Sequence, residues 1–162
     1  MKSNPSRTSI TQALIGTWYL QSFTEYTEIA GLVQPLGPNP VGLLIYTAEG
    51  IVSAQLMRSG REELSAGAWE RGPSARLAEL AEGYIAYCGT FVVHEESQHV
   101  IHTPIVALIP NLLNLAQLRT YTLDGQQLTL ETERPGAEGL PIKTTLVWRL
   151  YKEHGASDAL LR

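Results

Sequence analysis

Short stretches of alternating hydrophobic and polar residues run along most of the chain, a pattern that predicts β-strands. Segments rich in glycine, proline and asparagine separate them and are typical of turns. The predicted strands cover residues 17–29, 42–47, 51–57, 89–94, 99–107, 115–123, 127–133 and 143–151. Between two of them, Asp124 and Gly125 form the strongest short hairpin signal in the chain. The chain is therefore predicted to be mainly β, with sequential strands joined by short turns.

A different pattern lies between the third and fourth of these strands. Residues 58–73 are rich in glycine, serine and charge and include Trp69, and a connection of this length is often a lid or a binding loop. Hydrophobic residues then recur at helical spacing, at Leu77, Leu80, Ala81, Tyr84 and Tyr87. We therefore expect one inserted α-helix over residues 74–87.

Sequential antiparallel strands leave two exposed edges unless the sheet closes on itself. An up-and-down β-barrel of about eight or nine strands closes the sheet, and its interior can hold one small ligand. The inserted helix would cover one mouth of this barrel. A sandwich of two sheets is the alternative architecture. The barrel domain is predicted to span residues 13–152, with flexible segments at residues 1–12 and 153–162.

Composition narrows the functional classes. The 162 residues correspond to one domain, and 17% of them are charged, against about 25% in a typical soluble domain. So low a charge content indicates that surface is hidden in a cavity or in an oligomer interface, such as that of a homodimer. The net charge is −4 and the sequence has no basic stripe, so nucleic acid is not an expected partner.

Cysteine content and targeting signals indicate the compartment. The single cysteine, Cys88, cannot form an intramolecular disulfide, which is typical of the reducing cytoplasm. The first residues are polar, and the apolar region of a signal peptide does not follow them. The longest apolar stretch, residues 105–118, is interrupted by Pro110 and Asn111 and is too short to cross a membrane. We expect a cytoplasmic protein without membrane insertion.

One predicted strand carries an arginine and a glutamine with a candidate binding role. Gln117, Arg119 and Tyr121 alternate, so they share one face of the strand. An arginine inside a barrel needs an anion or several acceptors, and there Gln117 and Arg119 would hold a carboxylate, an enolate or a carbonyl. Alternatively, Arg119 pairs with Glu131 across the hairpin at the surface. The pattern alone leaves both faces open.

His102 is the histidine most strongly predicted to lie in the interior, because it sits mid-strand within an apolar stretch. It would act as a general acid or base. The alternative is a single hydrogen-bonded histidine of the core or of a pocket wall. His94, His99 and His102 do not have the spacing of a known metal motif, so no metal site is expected. The phosphate-binding and dinucleotide-binding motifs are also missing, so no cofactor is expected.

Several aromatic and polar residues are candidates for lining the interior. Phenol and amide groups in a mostly apolar cup are a common composition of ligand sites. The candidates for ligand binding are Gln55, Met57, Trp69, Tyr84, Tyr87 and Gln117, and those for catalysis are Tyr46, His102 and Arg119. The alternative is that the tyrosines are amphipathic residues of the rim.

Specific motifs connect the sequence with a known family. Gly16-Thr17-Trp18 opens the first strand as in the lipocalin G-x-W signature, and Arg149 lies near the end of the last strand. The chain also resembles the bacterial and fungal lipocalin-like domain family, at residues 35–58, 83–90, 110–111 and 117–119. This resemblance implies a lipocalin-like barrel in which Arg149 covers the Trp18 indole, a contact of about 1–2 kcal/mol when desolvated.

The resemblance implies a fold rather than one activity. We expect a hydrophobic small molecule, such as a polyketide or lipid-like metabolite of secondary metabolism, to bind inside the barrel. The alternative is a cofactor-independent cyclase, isomerase or dehydratase, in which Arg119 polarises a carbonyl while His102 or Tyr46 moves a proton. A third possibility is a barrel packed too tightly to hold a ligand.

Overall fold

Short hairpins connect most of the strands in the computed structural model of the chain, which describes residues 9–63, 74–136 and 139–151. The elements of the described part follow in this order: α1 (Ile10–Leu14), β1 (Gly16–Thr27), β2 (Gly31–Val33), β3 (Val41–Tyr46), β4 (Ile51–Met57), α2 (Ser74–Glu82), β5 (Tyr84–His94), β6 (His99–Ala107), a 3-10 turn (Pro110–Leu112), β7 (Gln117–Asp124), β8 (Gln127–Pro135) and β9 (Pro141–Leu150).

The sheet closes into an antiparallel barrel. Strands β3 to β9 pair in sequence, and β1 pairs with β3 along one edge and with β9 along the other. Closure therefore joins eight strands, while β2 forms an additional hairpin with the far end of β1. The predicted lipocalin-like barrel is confirmed, and the two-sheet sandwich is wrong.

Alternation along the strands fills the interior with large apolar side chains. The inward residues with at most 1% exposure include Trp18, Leu44, Val52, Val100, Leu128 and Trp148. Burying each such side chain stabilises the fold by about 1.5–3 kcal/mol. Strand parity therefore decides which candidate residues reach the interior.

Helix α1 closes one end of the barrel, which we call the floor. The carboxylate of Glu95 accepts a hydrogen bond from the Ile10 backbone N–H at 3.0 Å. At this end of the interior, the Trp18 indole donates to the Leu14 carbonyl at 2.9 Å. Ile10 packs against the core although it lies in the segment 1–12 that the sequence assigns to a flexible terminus. The flexibility of that segment stays a prediction, but α1 extends the folded part to residue 10.

The contact implied between Arg149 and Trp18 is wrong. Trp18 points inward and is paired with Leu150, whereas Arg149 is paired with Tyr19 and is exposed. Because successive side chains on a strand point to opposite faces, Arg149 lies on the outside of the barrel. The Trp18 indole is held instead by the Leu14 carbonyl.

The predicted helix over residues 74–87 is too long at its carboxyl end. Helix α2 ends at Glu82, and Tyr84 begins β5, which pairs along its length with β4. Aromatic and β-branched residues suit this paired strand, and the pairing overrides the helical spacing of Tyr84 and Tyr87. Tyr84 and Tyr87 would share one side of a helix, but on β5 they point to opposite faces. Most described side chains of α2 are exposed, and a cover over the barrel mouth stays a prediction.

Strands β5 and β6 approach closely at a bulge. Cys88 pairs with Val106 and Gly89 pairs with Pro104, so Ile105 is the extra residue. A Cβ atom at residue 89 would lie 2.7 Å from the Pro104 Cα, which is far inside van der Waals contact. Gly89 is therefore needed where β5 and β6 meet, close to the inward-pointing side chains of Tyr87 and His102.

Candidate functional site

Five polar residues from four strands meet on the inner face of the barrel. We call this set the interior polar cluster: Tyr46 of β3, Tyr87 of β5, His102 of β6, and Gln117 and Arg119 of β7. His102 is completely buried, while Gln117 and Arg119 are partly exposed. The cluster is therefore inside the barrel and reachable at its β7 side.

Strand register places Arg119 in this cluster. Thr120, not Arg119, is the partner of Glu131, and the outward residues of β7 are exposed. The bonded partners of Arg119 are His102, Tyr87 and Gln117. The alternative surface ion pair between Arg119 and Glu131 is therefore wrong, and the face that carries Gln117, Arg119 and Tyr121 is the inner one.

His102 is held on both ring nitrogens. The Tyr46 hydroxyl lies 2.7 Å from its Nε2, and the Tyr87 hydroxyl lies 2.8 Å from its Nδ1. The Arg119 Nε–H donates to the same Nδ1 at 3.3 Å. A guanidinium only donates, so Nδ1 must carry a lone pair and Nε2 must carry the proton. His102 therefore donates from Nε2 to the oxygen of Tyr46.

This assignment determines the direction of the remaining hydrogen bonds. Tyr87 accepts from the Arg119 Nη2 at 3.3 Å and donates its own hydrogen to His102 Nδ1. The other Nη2 hydrogen goes to the Gln117 Oε1 at 2.7 Å. Tyr46 accepts from His102, and its own hydrogen has no acceptor among the described residues. The Tyr46 hydroxyl hydrogen is therefore unpaired within the described residues, and Tyr46 itself is buried.

Burial keeps His102 and Tyr46 neutral. Desolvation, and then the positive charge of Arg119, holds the pKa of His102 well below its ordinary 6.5. Desolvation and the neighbouring Tyr87 raise the pKa of Tyr46 well above 10, against a smaller lowering by Arg119. His102 and Tyr46 are therefore uncharged at neutral pH, and Arg119 supplies the positive charge of the cluster.

Two buried donors on the inner face have no hydrogen-bond partner in the described part of the chain. They are the Gln117 Nε2 group and the Trp148 indole N–H. Leaving a buried donor unsatisfied costs about 1–3 kcal/mol, so such groups call for a partner that is not part of the protein. Gln117 is the more informative of the two, because its amide oxygen is fixed by Arg119.

Aromatic and aliphatic side chains surround the polar groups. Phe91 packs edge-on against Tyr46 with 4.7 Å between ring centroids. Trp148, on β9, comes from the wall opposite β5. Phe91 and Trp148 are not among the interior candidates predicted from the sequence. Both residues alternate with outward residues on their strands, and this alternation could have predicted them. It does so only once the position of Trp18 shows which face of the sheet is the inner one.

Three predicted ligand-binding residues do not reach the interior. Gln55 and Met57 alternate with the buried residues of β4 and therefore lie on the outer face. Tyr84 is also on the outside, where its hydroxyl donates to the Gln55 Oε1 at 2.6 Å. Arg61 stacks on this tyrosine, with its Cζ 5.5 Å from the ring centroid. We call Gln55, Arg61 and Tyr84 the outer cluster.

The remaining candidates are placed as follows. Trp69 lies outside the described residues. His94 is exposed at the end of β5 and pairs in register with His99. Neither of these histidines belongs to the interior polar cluster. Among the residues that the structure describes, histidine, cysteine and acidic side chains do not form a group of three or more that could hold a metal ion.

Comparison with known proteins assigns the family. A family model described as a lipocalin-like domain matches residues 15–150, and the chain belongs to this family. The resemblance seen in the sequence is thereby confirmed. A 4'-hydroxy-3'-methoxypropiophenone carrier protein from Aspergillus oryzae is 30% identical over 105 residues, which are 60% of this chain and 95% of the relative. In the described part of the chain, the helices are too short or too polar to span a membrane.

Proposed function

We propose that this protein binds a small hydrophobic molecule inside its barrel, as a carrier or binding protein of secondary metabolism. The observation that carries the proposal is the buried Gln117 Nε2 group, whose hydrogens have no acceptor among the described residues although the amide oxygen accepts from Arg119. A folded protein tolerates such a group when a ligand satisfies it. Apolar walls with few convergent polar groups are the usual composition of a ligand site.

The polar cluster fits the oxygen atoms of an otherwise apolar ligand. Arg119, Gln117 and Tyr46 would donate hydrogen bonds, while Tyr87 and His102 hold Arg119 in place. Phe91 and Trp148 would contact the apolar part of the ligand. The relative from Aspergillus oryzae supports this class, because the compound in its name is an aromatic ketone with hydroxyl and methoxy oxygens.

An exposed apolar segment supports an approach route beside the cluster. His102 and Gln117 form the last register pair of β6 with β7, and beyond them the two strands separate. The connection between the two strands is fixed to β6 by a hydrogen bond from the Asn114 N–H to the Pro104 carbonyl. Its exposed aliphatic side chains include Leu108, Ile109, Leu113 and Leu115. Exposed apolar surface of this kind often marks a binding groove or an interface.

Two measurements test the proposal. Native mass spectrometry of freshly purified protein should show a bound small molecule that denaturing extraction releases. Titration with 4'-hydroxy-3'-methoxypropiophenone should also quench the fluorescence of the inward tryptophans Trp18 and Trp148. An empty protein that binds neither this ketone nor other apolar metabolites would overturn the proposal.

Two glutamine variants provide a matched comparison for this titration. Gln117→Met should weaken binding by up to about tenfold, the value of one hydrogen bond. Gln55→Met, on the outer face of β4, should leave the affinity unchanged. Equal effects of the two variants would contradict a site at the interior polar cluster.

A second candidate function is a cofactor-independent isomerase, cyclase or dehydratase. The observation that favours it is the Tyr46 hydroxyl hydrogen, which is available at 2.7 Å from a neutral histidine. Tyr46 could give its hydroxyl hydrogen to the carbon of an enol held at Arg119 and take up the enol's own hydroxyl hydrogen, so that a ketone leaves and Tyr46 is restored. Chemical analysis of a ligand recovered after incubation separates the two functions, since a carrier releases it unchanged and an enzyme releases a product.

A further inference from the structure

We propose that the barrel selects a ligand with one acidic hydroxyl group, a phenol or an enol, and binds it as the single-oxygen anion at Arg119. This inference rests on the proposed function and specifies the chemistry of the same site. It is carried by three features of the interior polar cluster: the direction of its hydrogen bonds, its net charge and the part of the guanidinium that is left open.

Open donors outnumber open acceptors in the cluster. Both hydrogens of the Gln117 amide are unsatisfied, and the Tyr46 hydroxyl hydrogen has no acceptor. The acceptor on His102, Nδ1, is occupied by Tyr87 and Arg119. The oxygen of Gln117 accepts from Arg119 and keeps one lone pair. A ligand group that must accept several hydrogen bonds and donate none fits this arrangement, and a deprotonated oxygen is such a group.

The charge of the cluster favours an anionic ligand. Arg119 is held by neutral groups only: a histidine, a phenol and an amide oxygen. Among the described inward residues, Glu25 is the carboxylate, and it is engaged by Thr144 and Arg134 at 3.3 Å each. The neighbouring inward positions of β8 are Leu128 and Leu130. A partly buried guanidinium without a carboxylate is unfavourable until a ligand supplies the negative charge.

The open part of the guanidinium fits one oxygen atom. Arg119 uses its Nε–H for His102 and its Nη2 hydrogens for Tyr87 and Gln117. Only Nη1 is without a partner among the described residues. A carboxylate binds arginine best through two parallel hydrogen bonds, which need two open nitrogens. A phenolate or an enolate needs one, and the neighbouring Gln117 amide offers a second donor to the same oxygen.

The test follows the ionisation of a bound phenol. The probe is 4'-hydroxy-3'-methoxypropiophenone, and its neutral counterpart is the 4'-O-methyl ether. Phenols of this type absorb at longer wavelength when ionised, so absorbance against pH gives the pKa of free and bound ligand. With the wild-type protein the pKa of the bound phenol should fall by about 1–3 units, as expected beside a guanidinium. Each unit corresponds to about a tenfold preference for the anion.

Two arginine variants and one further compound complete the experiment. Arg119→Gln should abolish the pKa shift, and a cooperative unfolding transition in urea shows that this variant is folded. Arg149→Gln, an exposed arginine on the outer face, should keep the full shift. The analogue with a carboxylate in place of the hydroxyl should bind the wild-type protein more weakly than the phenolate.

The outcomes separate this inference from the proposed function. If phenol and methyl ether bind equally well and the pKa of the phenol does not move, anion selection is wrong and the binding function stands. A shift that survives in Arg119→Gln also overturns the inference, because another group would then cause it. Tighter binding of the carboxylate analogue overturns the single-oxygen part. If none of the three compounds binds, both the inference and the binding function fail for aromatic ketones.

Discussion

Two clusters of the same residue types lie on opposite faces of one sheet and have different surroundings. The interior polar cluster and the outer cluster each contain a tyrosine, a glutamine and an arginine. Inside, Arg119 has neutral side chains as partners, and the Gln117 Nε2 group has no acceptor among the described residues. Outside, Arg61 donates to the carbonyls of Leu80 and Gly83, at 3.1 and 3.2 Å.

The difference teaches that strand parity, rather than residue type, decides the chemistry here. Tyr84 and Tyr87 are three residues apart on β5 and point to opposite faces. Water reaches the outer cluster and replaces any hydrogen bond that it loses, so its contacts are worth little. The interior lacks this replacement, so every lost contact leaves a buried polar group without a partner.

The largest effect on stability is expected from the centre of the interior polar cluster. His102→Leu removes the acceptor of Tyr87 and Arg119 and the donor to Tyr46. Since each buried unsatisfied group costs about 1–3 kcal/mol, unfolding in urea should show a loss of about 3 kcal/mol or more. His94→Leu is the control. It changes an exposed residue of the neighbouring strand β5 and should change stability little. Equal stability of both variants would mean that the His102 hydrogen bonds do not hold the interior together.

Acidification should destabilise the protein through the same histidine. The pKa of His102 is lowered in the folded state, so below pH 6.5 the unfolded chain binds a proton that the folded protein does not. Above pH 6.5 His102 is neutral in both states, so it does not reduce the free energy of unfolding. Below that pH the free energy of unfolding falls by about 1.4 kcal/mol for each pH unit, until the pH reaches the lowered pKa of the folded state. Urea unfolding at several pH values should therefore show a flatter dependence in His102→Asn than in wild type. His94→Gln should keep the wild-type slope, and a slope unchanged in His102→Asn would show that His102 is not held neutral.

A pair of conservative tyrosine variants measures the contrast between the faces directly. Tyr87→Phe removes a hydroxyl that both Arg119 and His102 contact, and it should cost about 1–3 kcal/mol of unfolding free energy. Tyr84→Phe removes one partly exposed hydrogen bond to Gln55 and should cost about 1 kcal/mol or less. Chemical denaturation of the two variants provides the comparison. A larger loss in Tyr84→Phe would reverse the assignment of the inner and outer faces.

The sequence predicts the architecture well because the barrel follows from local signals. Alternating strands, the hairpin at Asp124–Gly125 and the lipocalin-like motifs place nearly every strand. Strand parity is a different kind of information, because a shift of one residue exchanges the faces. For Arg119 the pattern left both faces open, and for Tyr84 the helical spacing was misleading. The faces on which Arg119 and Tyr84 lie are determined by the pairing register of their strands. That register depends on strands that are distant in the sequence, such as β4 and β5.

The smallest effect is expected at Arg149, where the family pattern and the structure disagree. A guanidinium stacked on the buried Trp18 indole would contribute about 1–2 kcal/mol. On the exposed outer face beside Tyr19, Arg149→Gln should change the unfolding free energy by less than about 0.5 kcal/mol. The intrinsic fluorescence spectrum of the folded protein should also be unchanged, since Trp18 is bonded to the Leu14 carbonyl. A loss near the larger value, together with a spectral shift, would restore the contact with Trp18 and place Arg149 beneath the barrel.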